Sequence, residues 1–434
     1  MKNILAILLC LAVNKLTAQG VLTFEQAVQK TLANNFDIRI VKNTALQAEN
    51  NNNPGNAGYL PTIGVTADQF FSSTNTRQEF YSGQINEKQN AQNRSLNAAV
   101  RLDWTFFDGF TMFATDKRLQ IQEDQAALQV RAQIEMQVYQ TAVLYYSLVL
   151  QNQMTKVYQD ALDLSRERYN LVVIKEKNGA LSSLDLLQAK LDMNTDSSNL
   201  LSQNKIIRDL KTELALVMGE AENTHFDVVD EAVSIQPIDR KAIETNAISQ
   251  NTSILLNKSN IALVDAQRKE MQGRYYPQLG LYGQYSVTTS QSQVGLLASN
   301  RSLGPGFGIT LSWTILDQLS TFTTLKNLDL TQQNAELMVE QQNQVITKEL
   351  NLAFSNYDYA QELFQIENAS ILNTEEIFEI ARQTYEAGSM TDLELREIQF
   401  SIVQAKNRQL SSALALKTAQ LNLSLLSGDF QKLL

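Results

Sequence analysis

The sequence predicts a mainly α-helical protein with a small β part, in which each half repeats the order helix, β-hairpin, long helix, short helix. Three observations lead there. Glycine and proline number only 17 and 5 in 434 residues, which favours long uninterrupted helices over loop-rich domains. Trp104 and Trp313, Asp108 and Asp317, Gly179 and Gly388, and Gly219 and Gly428 are each separated by 209 positions, the mark of a duplication. Finally, "DWTFFDGF" from Asp103 and "SWTILDQL" from Ser312 close runs of alternating apolar and polar residues, the period of a β-strand.

Residues 1–19 read as a secretory signal peptide: a basic start, an apolar stretch from Ile4 to Val13, and small residues near Ala18. Cys10 lies inside that stretch and leaves with it, because Leu9 is too large for a lipoprotein cleavage box. The mature chain then has no thiol and a single histidine, His225. Disulfide scaffolds, Cys/His zinc sites and histidine-dependent triads are thereby excluded, and neither metal nor cofactor is expected. No later apolar run reaches the 18 or so residues of a transmembrane helix. The formal charge is −10 with no Lys/Arg-rich block, so nucleic acid is not an expected partner.

The first repeat is expected over residues 20–219. It opens with a helix from about Thr23 to Asn50, whose Thr23 and Gln26 form a capping box, and an Asn-rich stretch with Pro54 weakens it. Pro61 then leads into strands at about 61–73 and 96–108. Leu96, Ala98, Val100, Leu102, Trp104 and Phe106 alternate there with Asn97, Ala99, Arg101, Asp103 and Thr105. A helix from Thr111 to Glu176 follows, about 100 Å long at 1.5 Å per residue. It ends at the turn around Gly179, and a shorter helix returns from Ser183 to Val217. Residues 220–236 form a connector expected to pack about the waist of the helices. The second repeat, 237–434, has its own leading helix from Pro237 to about Arg274. Pro277 opens strands at about 277–289 and 305–317, and the hairpin tip lies near Gly388. Each leading helix plus its return helix nearly equals the long one, so the two short helices can stack end to end beside it.

Four strands cannot enclose an interior, and an open sheet in lipid leaves backbone groups unpaired at several kcal/mol each. The chain is therefore expected to pool strands with copies of itself, three chains giving about twelve strands around an aqueous lumen. Trp104, Phe106 and Trp313 then sit at the membrane interface as an aromatic girdle. An alternative is a trimeric outer-membrane-anchored adhesin or stalk. The inward return at Gly179 and Gly388 argues against it.

Over almost the whole mature chain the sequence resembles the TolC-like outer-membrane efflux proteins. The resemblance rests on "LTFEQAVQKTLANN", on "GYLPTIGV" and "RYYPQLGL" leading into the strands, and on "LDWTFFDG" and "LSWTILDQ" leading out of them. The hairpin segments "GALSSLDLLQAK" and "YEAGSMTDLELREIQ" complete it. It implies a homotrimer in the outer membrane of a Gram-negative cell, with a 12-stranded transmembrane β-barrel surrounded by lipid and continued by a periplasmic α-helical barrel. Such a trimer is the passive exit duct of a tripartite efflux or type I secretion system for small molecules or proteins. Its partners are a periplasmic adaptor (membrane fusion protein) and an inner-membrane transporter of the RND or ABC kind. No bond is made or broken, so no enzyme is expected.

At the tips, Gly179 and Gly388 end the long helices, and Ser182 with Asp185 and Thr391 with Glu394 read as capping boxes. In the family, acidic residues six and nine positions after the second glycine line a closed constriction. The resemblance places Glu394 and Glu397 there, two rings of three carboxylates in a trimer that attract cations. Tyr385 matches a family aromatic that bonds a neighbouring helix, with Asp185 as its candidate partner. The family's gate arginine, two residues after the glycine, is Met390 here.

Overall fold

The computed structural model describes residues 21–221, 226–229, 234–235 and 237–428. The signal peptide with Cys10, His225 and most of the connector lie outside the described residues. After strand β1 (Val21–Leu22) come helices α1 (Phe24–Asn34) and α2 (Phe36–Asn51), then strands β2 (Thr62–Glu79) and β3 (Ile85–Phe107). The long helix α3 (Thr111–Lys177) and the return helix α4 (Ser183–Val217) follow, then the short strand β4 (Asp227–Val228). The second half repeats the order with α5 (Arg240–Gln250), α6 (Thr252–Gln272), β5 (Gln278–Ser292), β6 (Ser299–Ser312), α7 (Ser320–Glu386) and α8 (Asp392–Ser427). Both long helices have 67 residues. No helix among the described residues is long and apolar enough to cross a membrane.

Each leading helix is broken in two, where the sequence reading had one. The break falls at Asn35 and Asn251, both in extended backbone, with ψ of 129° and 123°. Asn35 Oδ1 accepts from the Ile38 backbone N–H at 3.1 Å, starting α2, while its Nδ2 donates to the Val217 carbonyl at 2.8 Å. Asn251 does the same, accepting from Ser253 N–H at 3.0 Å and donating to the Leu426 carbonyl at 3.1 Å. One asparagine thus begins a helix and ties off the end of another, satisfying orphan groups of both.

The chain forms two compact units. One comprises Thr44–Ala127 with Leu256–Val339; the other contains the described residues up to Asn43, Leu128–Leu255 and those from Glu340 on. The second unit is helical, with two cores that repeat each other. Tyr145, Leu148 and Leu214 are buried together with Leu22, Phe226 and Val228. Phe354, Tyr357 and Leu423, at the equivalent positions of the second repeat, are buried with Ile254, Ile346 and Leu416. The connector segment Asp227–Val228 pairs in parallel with Val21–Leu22, which brings Phe226 and Val228 into the first core.

The first unit carries a four-stranded antiparallel meander in the order β2-β3-β5-β6. Its register sorts the side chains by polarity. Ile63, Val65 and Ala67 pair across the strands with Leu102, Val100 and Ala98, which in turn face Gly283, Tyr285 and Val287; Phe307, Pro305 and Leu303 complete the rungs on β6. The opposite face carries Thr66, Asp68, Asn97, Arg101, Asp103, Gln284 and Ser286, with Gly304, Gly306 and Gly308 on β6. There Arg101 pairs with Asp103 at 2.8 Å and lies 4.7 Å over the Tyr282 ring.

The strand limits differ from expectation. β2 and β3 run past the expected turn, to Glu79 and from Ile85, because polar alternation without an apolar face leaves no signal in that outer part. β6 begins at Ser299 and stops at Ser312, short of Trp313. Gln278 pairs with Ser312 as the last rung, and the preceding Pro277 has no N–H to donate, so the ladder ends there.

Candidate functional site

Two places concentrate side chains with defined roles: the helix-bearing end of the sheet and the tips of the helical hairpins. At the first, the duplicated tryptophans do the same thing. Trp104 Nε1 donates to the carbonyl of Tyr59 at 2.9 Å, and Trp313 Nε1 donates to the carbonyl of Tyr275 at 3.1 Å. Each tyrosine lies two residues before the proline that precedes a strand, so each indole ties the outgoing chain to Pro61 or Pro277 on the incoming one. Both indoles stay partly exposed, as do Phe106, whose ring centroid is 6.2 Å from that of Trp104, and Phe110. A partly exposed apolar ring whose N–H is satisfied by the chain is the arrangement that suits an interface between oil and water. Gly109 is required at this end: its φ is +73°, and a Cβ there would lie 2.2 Å from the Gly273 carbonyl oxygen.

At the tips the chain turns through a left-handed glycine in both copies. Gly179 (φ +75°) donates to the Glu176 carbonyl at 2.9 Å while Ala180 reaches back to Lys175 at 2.9 Å. Gly388 (φ +77°) and Ser389 make the same pair of bonds to Tyr385 and Thr384, at 2.9 and 3.1 Å. This is the Schellman closure of a helix. Both capping boxes are formed. Asp185 accepts from the Ser182 backbone N–H at 2.9 Å, and Glu394 accepts from the Thr391 N–H at 2.8 Å and hydroxyl at 2.7 Å. Bonds from the Ser182 hydroxyl and N–H hold the Asp185 carboxyl below its ordinary pKa, and those from the Thr391 N–H and hydroxyl do the same for Glu394.

Tyr385 does not bond Asp185. Its hydroxyl donates to Asp392, the first residue of α8. The reason is local: Asp185 is occupied as a cap, whereas Asp392 lies just across the tip turn from Tyr385. Burial, then the bond to Asp392, push the Tyr385 pKa well above its ordinary value. Lys175 of the first hairpin packs over the Tyr385 ring at 5.6 Å. Glu397 is exposed on α8.

Sequence reading missed the most charged structure in this region, a buried ionic network between the two hairpins. Arg396 on α8 grips Asp196 on α4 with two parallel bonds, 2.6 and 2.9 Å. Ser165 on α3 also bonds Asp196, and Arg168 on α3 pairs with Asp192 on α4. Gln399 on α8 donates to the Ala161 carbonyl at 2.9 Å. Arg168 and Asp196 are only 4 % and 6 % exposed. A faint signal existed in the sequence, since Asp192 and Asp196 lie one helical turn apart on one face of α4. Nothing in a single sequence paired them with an arginine some 200 residues away.

The sequence profile of the outer membrane efflux protein family matches residues 27–220 and again 245–429. The chain belongs to that family. Solved structures agree on the fold. The CmeC outer membrane channel of Campylobacter jejuni superposes with a TM-score of 0.78 at 14% identity, over 93% of this chain and 85% of that one. The outer membrane protein VceC of Vibrio cholerae gives 0.74 at 14% identity over 93% and 96%. The open state of the MtrE outer membrane channel of Neisseria gonorrhoeae gives 0.72 at 15% over 93% and 88%. No curated protein matches by sequence. Members of the family form trimers and work with an adaptor and an inner-membrane pump. As one of them the chain is an outer-membrane efflux channel of a Gram-negative cell and a passive conduit, not an enzyme.

Proposed function

We propose that three copies of this chain close a 12-stranded barrel and that the helical hairpins continue it into the periplasm as a tunnel. In this reading the assembly is the exit duct of a tripartite efflux or type I secretion system. One observation carries it: the meander has one apolar face, one polar face and two free edges, β2 and β6. From Leu96 to Trp104 the apolar face of β3 spans about 27 Å along the strand. Tilted by about 40°, that is roughly 21 Å of height, close to the apolar band of about 25 Å on such barrels. Free edges in lipid are costly, and pairing β2 of one copy with β6 of the next satisfies both. Exposed Leu187, Leu191, Leu201, Leu352 and Leu372 on the helices of a single chain also support assembly, because so much apolar surface on a lone helical protein signals a partner.

The second tip forms the constriction in this proposal, with Glu397 and Glu394 facing the pore. Glu394 is held as a cap by Thr391 and is released to the pore only when that turn opens. Glu397 supplies the charge in the closed state.

The test is the assembled protein in detergent and in planar bilayers. The expected mass is that of three chains, with single-channel currents blocked by multivalent cations. Replacing Glu394 and Glu397 together with Gln is expected to weaken that block by about tenfold and raise the closed-state conductance. A monomeric mass would refute the duct; a trimer whose conductance and block are unchanged by E394Q/E397Q would leave the duct and remove the gate.

A further inference from the structure

The apolar face of the sheet ends, at the side away from the helices, in two arginines. On β3 the outward run Trp104, Leu102, Val100, Ala98, Leu96 is followed by Arg94; on β6 the run Leu311, Ile309, Phe307, Pro305, Leu303 is followed by Arg301. Leu96 and Arg301 share one rung through Thr289, and Arg94 lies on the next rung with Gln291. The two arginines are thus two strands apart, about 10 Å sideways at the usual strand spacing. From Ile63 to Ser73, Gln92 to Trp104, Leu279 to Gln291 and Ser299 to Leu311 this face carries no Asp or Glu; Asp68 and Asp103 point to the other side. Arg94 is instead braced by the Phe71 ring, 5.1 Å beneath its guanidinium, and by the Gln69 side-chain amide at 2.7 Å. It lines a cleft of about 980 Å³ together with Lys88, Phe71, Gln291 and the exposed Leu296. This is a cationic rim without a carboxylate on the same face over these stretches, with apolar surface below it and Arg94 held in place by its neighbours.

We infer that Arg94 and Arg301 bind the phosphate groups of an anionic glycolipid in the outer leaflet. The inference rests on the barrel reading given above. Arginine on a lipid-facing strand is costly near the middle of the bilayer and tolerated only where headgroups begin, which is where both residues stand. Guanidinium is also the group suited to bidentate phosphate contacts. The strand order makes the pattern continuous: with β6 beside β2 of the next copy, arginines occupy every second strand around the ring. Exposed Leu96 and Leu303, each the next residue of the same face below its arginine, would meet the upper part of the acyl chains, so the site takes a lipid carrying phosphate and not free phosphate.

The experiment is native mass spectrometry of the full assembly in detergent, titrated with bisphosphorylated lipid A and, separately, with its dephosphorylated form. The bisphosphorylated lipid is expected to be retained about tenfold better, and R94Q/R301Q is expected to abolish that preference. Arg101→Gln, on the polar face, is expected to leave it intact. Equal retention of both lipids, an unaltered preference in R94Q/R301Q, or an equal loss in R101Q would overturn the proposal. So would displacement of the lipid by inorganic phosphate at equal concentration, which would assign the arginines to a free ion. The same spectra report the number of chains, so failure of the trimer is read separately from failure of the lipid site.

Discussion

At the first tip Ser183 donates a hydrogen bond of 3.2 Å to Glu176. At the second tip the equivalent positions are Asp392 and Tyr385, and the bond runs the other way, from the tyrosine hydroxyl to the carboxylate. The turns themselves are alike: a left-handed glycine, the same pair of backbone closures and a capping box. Duplication preserved the bond across the turn and exchanged its donor and acceptor. Other positions diverged outright. Gln188 in the first copy, bonded to Asp192 at 3.1 Å, stands where the second has the exposed Glu397. Arg396 and Asp196 form the inter-hairpin grip; by the same offset the mirror pair is Leu187 and Ala405. Geometry was thus kept where the backbone needs it, while the charged side chains around it differ between the copies.

Breaking the grip is the largest way to test that asymmetry. Arg396→Ala leaves Asp196 buried without its cation, at a cost of about 3–5 kcal/mol. Amide exchange should therefore accelerate in α4 and α8 around these residues and not at the opposite ends of the same helices. The mirror-image replacement R396L/D196A, which gives each position the residue of its counterpart in the other copy, is expected to recover most of the loss, because a buried pair exchanged for apolar groups is often neutral. If R396A alone leaves exchange at both helices unchanged, the grip contributes nothing to holding the hairpins together.

A smaller and symmetrical effect is expected at the turn glycines. A Cβ at Gly179 or Gly388 would meet nothing within 4 Å, so the cost of alanine is that of the left-handed backbone alone, about 1–2 kcal/mol. G179A and G388A should lower the thermal midpoint by equal amounts. A large difference between them would mean that one turn is held by contacts the other lacks.

The features legible in the sequence were those fixed by local rules. Period-two alternation marked the strands wherever one face is apolar, glycine marked the tips, and Thr23, Ser182 and Thr391 marked helix starts through short-range bonds. Asn35 and Asn251 were also readable in principle, since an asparagine at the same place in both copies is a helix start as much as a helix interior. What escaped were contacts between elements distant in sequence. The Trp104–Tyr59 and Trp313–Tyr275 bonds and the grip on Asp196 all depend on which faces packing brings together. The end of β6 escaped for another reason: a missing N–H at Pro277 on the partner strand terminated a run that its own alternation would have extended.

Acid offers the finest comparison between the tips. Both cap carboxylates have folded-state pKa values below their ordinary ones, so each stabilises its helix start fully above the ordinary value and loses that contribution as pH falls through the lowered one. The ordinary values are 3.8 for Asp185 and 4.5 for Glu394. On acidification each tip therefore loses its cap below the ordinary value of its own carboxylate. The backbone N–H groups of Ser182 and Thr391, which donate to these carboxylates, are the reporters. Their exchange, corrected for intrinsic rate, should rise as pH falls below the ordinary values, and Glu394→Gln should remove the step at the second tip. Exchange at both tips that does not change with pH, or a step that survives E394Q, would show that acid does not act on the hairpins through these caps.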